Sequence, residues 1–399
     1  LALLTACAGR EPPPEPDAPV FQPATSPVRA AATVASRGRD VVSAGEVRAS
    51  PAVWSSADNT PARSGSLIRD VRPWQFGYIN GQAIHTERFI IHTTERSPQI
   101  ATRLPGFMEI AADHYRRALM PDGGQLPQPG GQMVSYVMNN RRQWLEIAGE
   151  VLGPERAASL HQIPRGGLTF KGQALLFDIG PSDTLSIAAH EGWHQYTQTT
   201  FRQLPPIWLE EGLACFMEGH RWLGGAEGSP TFAGWANPGR YDNLRRAAAE
   251  NRLLSLRELL TTSPVEIIGL STDADAAVRW YAQVWALAHF LNEGEDGRYR
   301  PGLQALLRDC LEGRMEMGAS QRLSAVAQGR MGASGGAPRA FSLGPEAQLR
   351  LFAAYFNDDL DEAGAQYLGF VRRAISVGGR DLVLKGQSPV TPAGTEGQR

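Results

Sequence analysis

Residues 186–196 read SIAAHEGWHQY. His190 and His194 stand four apart, with Glu191 directly after the first. Side chains at i and i+4 lie one turn apart on the same helical face, so the pair can address one ion only if the segment is a helix. Neutral imidazoles are good zinc ligands, and three protein ligands leave a fourth position for water. Glu191 sits beside the ion without needing to bind it, where it can take a proton from a metal-bound water attacking a peptide carbonyl. The competing reading is a core helix whose histidines merely pack, and it predicts no third ligand downstream.

A candidate third ligand follows. Residues 204–218 read LPPIWLEEGLACFME. The prolines favour a helix start, and the rest has the apolar character of a buried helix. Glu210 and Glu211 stand in this otherwise apolar run. A buried carboxylate is costly unless it is paired or binds a metal, and a metal would meet that requirement. The residues alone leave Glu210 and Glu211 open as alternatives.

His-Glu-x-x-His followed by Trp208-Leu209-Glu210-Glu211-Gly212-Leu213-Ala214 resembles the gluzincins, zinc metallopeptidases whose third ligand is a glutamate on a following helix. The nearest resemblance is to the bacterial peptidase MA-like group. It is specific over residues 186–218 and 278–291 and loose over about 75–375. The resemblance implies an α+β, zincin-like fold, one zinc per chain held by His190, His194 and Glu211, and Glu191 as general base. It makes the glutamate directly before the glycine the ligand. Sixteen residues separate His194 from Glu211, slightly fewer than in the gluzincin aminopeptidases.

The same resemblance assigns two further roles. Glu218 lies two helical turns after Glu211, where a carboxylate accepting the free N–H of a ligand histidine is expected, with a solvated carboxylate at the helix end as the alternative. Residues 281–291, YAQVWALAHFL, resemble a helix recurring in the group. They suggest Tyr281 as the hydroxyl that stabilises the oxyanion, with His289 as a rival and core packing as the alternative for both. Gly192 departs from the bulky residue common after the motif glutamate. Glycine costs roughly 1 kcal/mol inside a helix, so close packing is expected at that point. The exopeptidase signature Gly-x-Met-Glu-Asn is absent. The run 172–180, GQALLFDIG, stands in its place, and in zincins the strand there forms the cleft edge that pairs with extended substrate. An endopeptidase acting on a peptide or protein substrate is therefore the expectation. The alternatives are a non-catalytic envelope lipoprotein that binds a protein or the cell wall, and a structural zinc site, which would need a fourth protein ligand.

The rest of the chain sets the context. Leu4-Thr5-Ala6-Cys7 resembles a bacterial lipoprotein cleavage box, which makes Cys7 the expected lipidation site and residues 1–7 the end of a signal peptide. Residues 8–70 are rich in Pro, Ala and Ser without apolar periodicity and read as a flexible tether. A membrane-tethered protein of the bacterial cell envelope, at the outer membrane or facing the periplasm, follows as the expectation. A net charge of −2 carries no basic excess and argues against nucleic-acid binding. Of the three cysteines, Cys215 and Cys310 are available for one disulfide in an oxidising compartment.

An Asn80-Gly81 pair between apolar residues signals a hairpin. Strands are expected near 88–94, 133–138, 166–170 and 173–179, and helices over 98–120 and 141–151. Beyond His190 the pattern reads almost wholly helical, over 203–220, 241–260, 276–292, 302–312 and 345–375. The expected organisation is a subdomain over 71–200 with a small mixed sheet, a helical subdomain over 201–377 sharing the metal with it, and a loose tail over 378–399.

Overall fold

The computed structural model describes residues 3–5, 67–120, 124–153, 157, 160, 166–223, 228–264, 267, 273, 275–330 and 344–390. Cys7, most of the expected tether, His161 and residues 391–399 lie outside them.

The architecture is α+β. Seven strands form one mixed sheet: β1 (Leu3–Thr5), β2 (Asp70–Phe76), β3 (Ile79–His85), β4 (Phe89–Thr93), β5 (Met133–Met138), β6 (Gly167–Phe170) and β7 (Gln173–Phe177). Their order is β1-β6-β7-β5-β4-β3-β2, with β4, β5 and β7 parallel and the other pairs antiparallel. Alternating side chains serve two cores, as the two-residue period of a strand requires. Phe89, Ile91, Met133, Val137 and Leu176 face one core, with helices Leu104–Arg117 and Pro181–Thr200. Met138, Leu168, Leu175 and Phe177 face the other, beneath helix Arg141–Leu152, whose Trp144 indole donates to the Leu175 carbonyl at 3.0 Å.

The hairpin near Asn80-Gly81 exists, but its turn is Gly77-Tyr78. Gly77 has φ of 55°, which glycine accepts without steric cost, whereas Asn80 and Gly81 lie in β3. The run 173–177 is not the cleft edge. It is β7, hydrogen-bonded on both sides, and β6 lies outside it. The outer side of β6 pairs with Leu3–Thr5.

The C-terminal half is built from helices Ile207–Met217, Pro238–Ala249, Leu256–Thr261, Ala276–Gly297, Arg300–Glu312, Met315–Arg330, Pro345–Tyr355 and Leu360–Ala374. A short hairpin, β8 (His220–Leu223) with β9 (Ser229–Phe232), interrupts them. Two expected long helices are each divided. Ser255 forms a capping box with Glu258, and Asp359 caps the helix that follows it, so both side chains satisfy backbone donors that open a new helix. The segment from 378 is not loose throughout: Gly379–Leu384 is helical, Val383 is buried, and Arg221 donates to the Lys385 carbonyl. One apolar core runs from Ile84 to Val383, so residues 200 and 201 mark no break in packing.

Cys215 and Cys310 are both buried thiols and form no disulfide with one another. Cys310 instead contacts the Met315 sulfur at 3.5 Å.

His114, on helix Leu104–Arg117, stacks against Phe216 and Phe232. Burial lowers its imidazole from 6.5 to about 4. The unfolded chain therefore takes up a proton that the folded chain refuses. Stability from this site is present above pH 6.5, is lost as the pH falls to about 4, and changes little below that. The expected loss is about 3 kcal/mol. Urea midpoints measured between pH 7 and 4 should fall less steeply in His114→Phe than in the wild type.

Candidate metal centre

Helix Pro181–Thr200 runs through the interior, with every residue from Leu185 to Thr197 buried except Ser186. Its position is set by polar contacts to the sheet as well as by apolar packing. Gln195 donates to the carbonyls of Val134 and Gly172, and Ser135 donates to the Gln195 side chain. On the opposite side the Tyr115 hydroxyl donates to the Ala189 carbonyl at 2.7 Å. The same hydroxyl explains Gly192, where an added Cβ would come within 2.5 Å of it.

Helix Ile207–Met217 crosses this helix and brings the acids to the histidines. His190 Nε2 and His194 Nε2 lie 3.2 Å apart. Glu211 Oε2 lies 3.3 Å from the first and 3.5 Å from the second. All three side chains are fully buried. Among the described residues neither Glu211 oxygen has a hydrogen-bond partner, and Oε2 lies between the two ring nitrogens. A tetrahedral zinc bonded at about 2.0–2.1 Å requires its donors to be about 3.3 Å apart. The triangle has that size, and a cation would relieve a buried carboxylate that nothing else satisfies.

Each histidine is oriented by its own carboxylate. His190 Nδ1 is 2.7 Å from Glu218 Oε1, and His194 Nδ1 is 2.9 Å from Glu210 Oε1. With the proton on Nδ1, each ring donates to its carboxylate and turns the Nε2 lone pair into the triangle. Thr197 also donates to Glu210 Oε1, at 2.6 Å. The two adjacent glutamates thus have different duties: Glu211 faces the triangle, and Glu210 holds His194.

Glu218 is itself anchored. Asn237 donates to its Oε2 at 2.7 Å, and Arg240 donates to Oε2 at 3.1 Å and Oε1 at 2.6 Å. His190, Cys215 and Glu218 form a second cluster of potential donors. The guanidinium already occupies the Glu218 carboxylate there, and a second cation would be repelled.

The electrostatics favour positive charge at the triangle. Burial alone would depress the His194 imidazole, but Glu211 and Glu210 outweigh it and hold it well above its ordinary value. Burial alone would raise Glu211, yet the two imidazoles bring it down to about 2. Protons or a divalent cation can supply that charge, so metal uptake should compete with protons.

Glu191 lies outside the triangle. Thr169 on β6 donates to its Oε2 at 2.7 Å, while its buried Oε1 carries no hydrogen bond. Burial raises its carboxyl above the ordinary value. The Glu191 side chain lies against Gly167, where an added Cβ would stand 3.1 Å from Oε1. Tyr281 is buried with its ring edge-on to His190, centroids 6.3 Å apart, and Arg240 lies over its face. His289 instead stacks on Trp235 at 3.8 Å and contacts Phe216 and Glu293, as a packed core histidine.

The structure therefore brings together His190, Glu191, His194, Glu211, Glu218 and Tyr281. Sequence reasoning missed the orienting duty of Glu210 and the parts played by Thr169, Thr197, Asn237 and Arg240. Only Glu210 carried a signal, as an acid in an apolar helix.

Glu218→Gln should weaken zinc binding about 10- to 100-fold, because His190 loses its charged acceptor. It should also lower stability by about 3 kcal/mol, since Arg240 is left buried without its charge partner. A chelator-competition titration and a thermal melt read the two effects separately.

No family model, curated protein or solved structure matches this chain.

Proposed function

We propose that the protein is a zinc-dependent metallopeptidase of the gluzincin type, acting as an endopeptidase at the bacterial cell envelope. One observation carries the reading: three buried donor atoms at 3.2, 3.3 and 3.5 Å, with a general-base candidate adjacent. The donor set of two imidazoles and one carboxylate suits zinc in a catalytic site, with a position left open. Zinc held there would supply Lewis acidity, polarising a carbonyl and acidifying water.

The chain's own residues do the rest. His190, His194 and Glu211 hold the ion, and Glu218 and Glu210 keep the two rings in register. Glu191 takes the proton from the attacking water at Oε1 and returns it to the leaving amine. Thr169 keeps the other oxygen engaged, so the base presents a single lone-pair face. Tyr281 is the hydroxyl proposed to steady the developing oxyanion.

In this reading Cys7 carries the lipid, and the segment up to about residue 70 spans from membrane to enzyme. Cleavage before Cys7 would also remove Leu3–Thr5 and open the outer edge of β6 to an extended chain.

The test uses the full chain. Elemental analysis after zinc loading should find about one zinc per chain, and a mixed peptide library should be cut internally. Chelation should abolish cleavage and zinc should restore it. Zinc without cleavage would leave a metal-binding envelope protein, and no zinc after loading would sink the reading.

A further inference from the structure

A cavity of about 330 Å³ adjoins the metal centre. It shares two walls with the centre. One is Glu218, the acceptor for His190; the other is Ile187, one helical turn before Glu191 and, like it, packed at Gly167. Its remaining lining divides by chemistry. Ile179, Ala236 and Pro238 are apolar, while Ser182, Asp183 and Ser186 present oxygens from the first turns of helix Pro181–Thr200. His220, Asn237, Arg240 and Asn243 complete the polar part.

The charge balance decides what fits. Arg240 donates to both oxygens of Glu218, so that pair is neutral. Two helices begin at the cavity, but proline at the first turn removes a backbone donor from each, and the Asn237 side chain caps the second. The other donors in the lining, His220 and Asn243, bring no formal charge, and burial lowers the His220 imidazole, so no uncommitted positive charge remains to hold an anion. Asp183 makes no hydrogen bond or ion pair among the described residues, so the net formal charge of the lining is negative. Apolar walls ending in uncommitted oxygens suit an aliphatic stem with a cationic tip.

We propose that this cavity is a specificity pocket for a lysine or arginine side chain flanking the scissile bond, with Asp183 as the determinant. The inference rests on the peptidase reading of the neighbouring centre. Asp183 is exposed, so the preference is moderate and salt-dependent, about tenfold for lysine over its uncharged isostere at low salt.

The probes are blocked peptides identical except for lysine, norleucine or glutamate at one position. They are titrated by calorimetry onto the zinc-loaded full chain carrying Glu191→Gln, so binding is read without turnover. The expected order is lysine about tenfold tighter than norleucine, with glutamate weakest. Adding Asp183→Asn should bring the lysine-to-norleucine ratio towards one, and Asp183→Lys should favour glutamate. Equal affinity for lysine and norleucine, or a preference that survives Asp183→Asn, overturns the pocket assignment. Cleavage of the same peptides by the wild type is measured in parallel. A lysine preference in binding without cleavage overturns the peptidase reading and leaves the pocket standing.

Discussion

Glu191→Gln is expected to lower kcat for peptide hydrolysis by about two to four orders of magnitude while zinc content stays near one per chain. The substitution keeps the shape of the side chain and removes the lone pair that accepts the proton. Its Oε2 partner is the Thr169 hydroxyl, which can bond to an amide oxygen as well as to a carboxylate oxygen. Glu191 contributes no atom to the triangle of His190, His194 and Glu211, so metal affinity has no reason to collapse. KM should change little, because the base acts on water rather than on ground-state binding. Elemental analysis beside steady-state kinetics checks both halves. Loss of zinc together with activity would place Glu191 among the ligands and contradict its role as base.

The second expectation separates two adjacent residues. Glu211→Ala should weaken zinc binding by about 3–5 kcal/mol, a few hundred- to several thousandfold, since one of three donors disappears. Glu210→Ala should cost only about 10- to 100-fold, because it loosens a ring and removes no donor. Glu210 is committed through Oε1 to His194 and Thr197, and the cluster of donor atoms at the triangle takes in Glu211 rather than Glu210. Competition against a chelator of known affinity measures both variants on one scale. Equal losses, or the reverse order, would reassign the ligand to Glu210.

Much of the site was legible before any fold was considered, because its key spacings are local. His190 and His194 are one turn apart on any α-helix, and Glu191 follows the first on that same turn. Strands β4 to β7 were legible from apolar runs bounded by turn residues. The hairpin β8–β9 was not, since His220-Arg221-Trp222-Leu223 and Ser229-Pro230-Thr231-Phe232 are mixed polar segments rather than apolar runs. Arg240 had no signal either: Asn237-Pro238-Gly239-Arg240 reads as a helix start, and nothing local reveals that its guanidinium meets Glu218.

The sequence by itself determined the motif helix, its two histidines, the glutamate beside them and the presence of acids on a second apolar helix. Those properties depend on the 3.6-residue repeat and on the cost of burying charge, and both act within a few residues. Residue chemistry left Glu210 and Glu211 open and only a resemblance pointed to Glu211; tertiary structure turns Glu211 to the triangle, through the angle at which Ile207–Met217 crosses Pro181–Thr200. It decided that Gly192 admits the hydroxyl of Tyr115, a residue 77 positions earlier in the chain. It decided that β7 is interior and β6 faces Glu191, because strand order is set by long-range pairing and leaves no trace in a single strand.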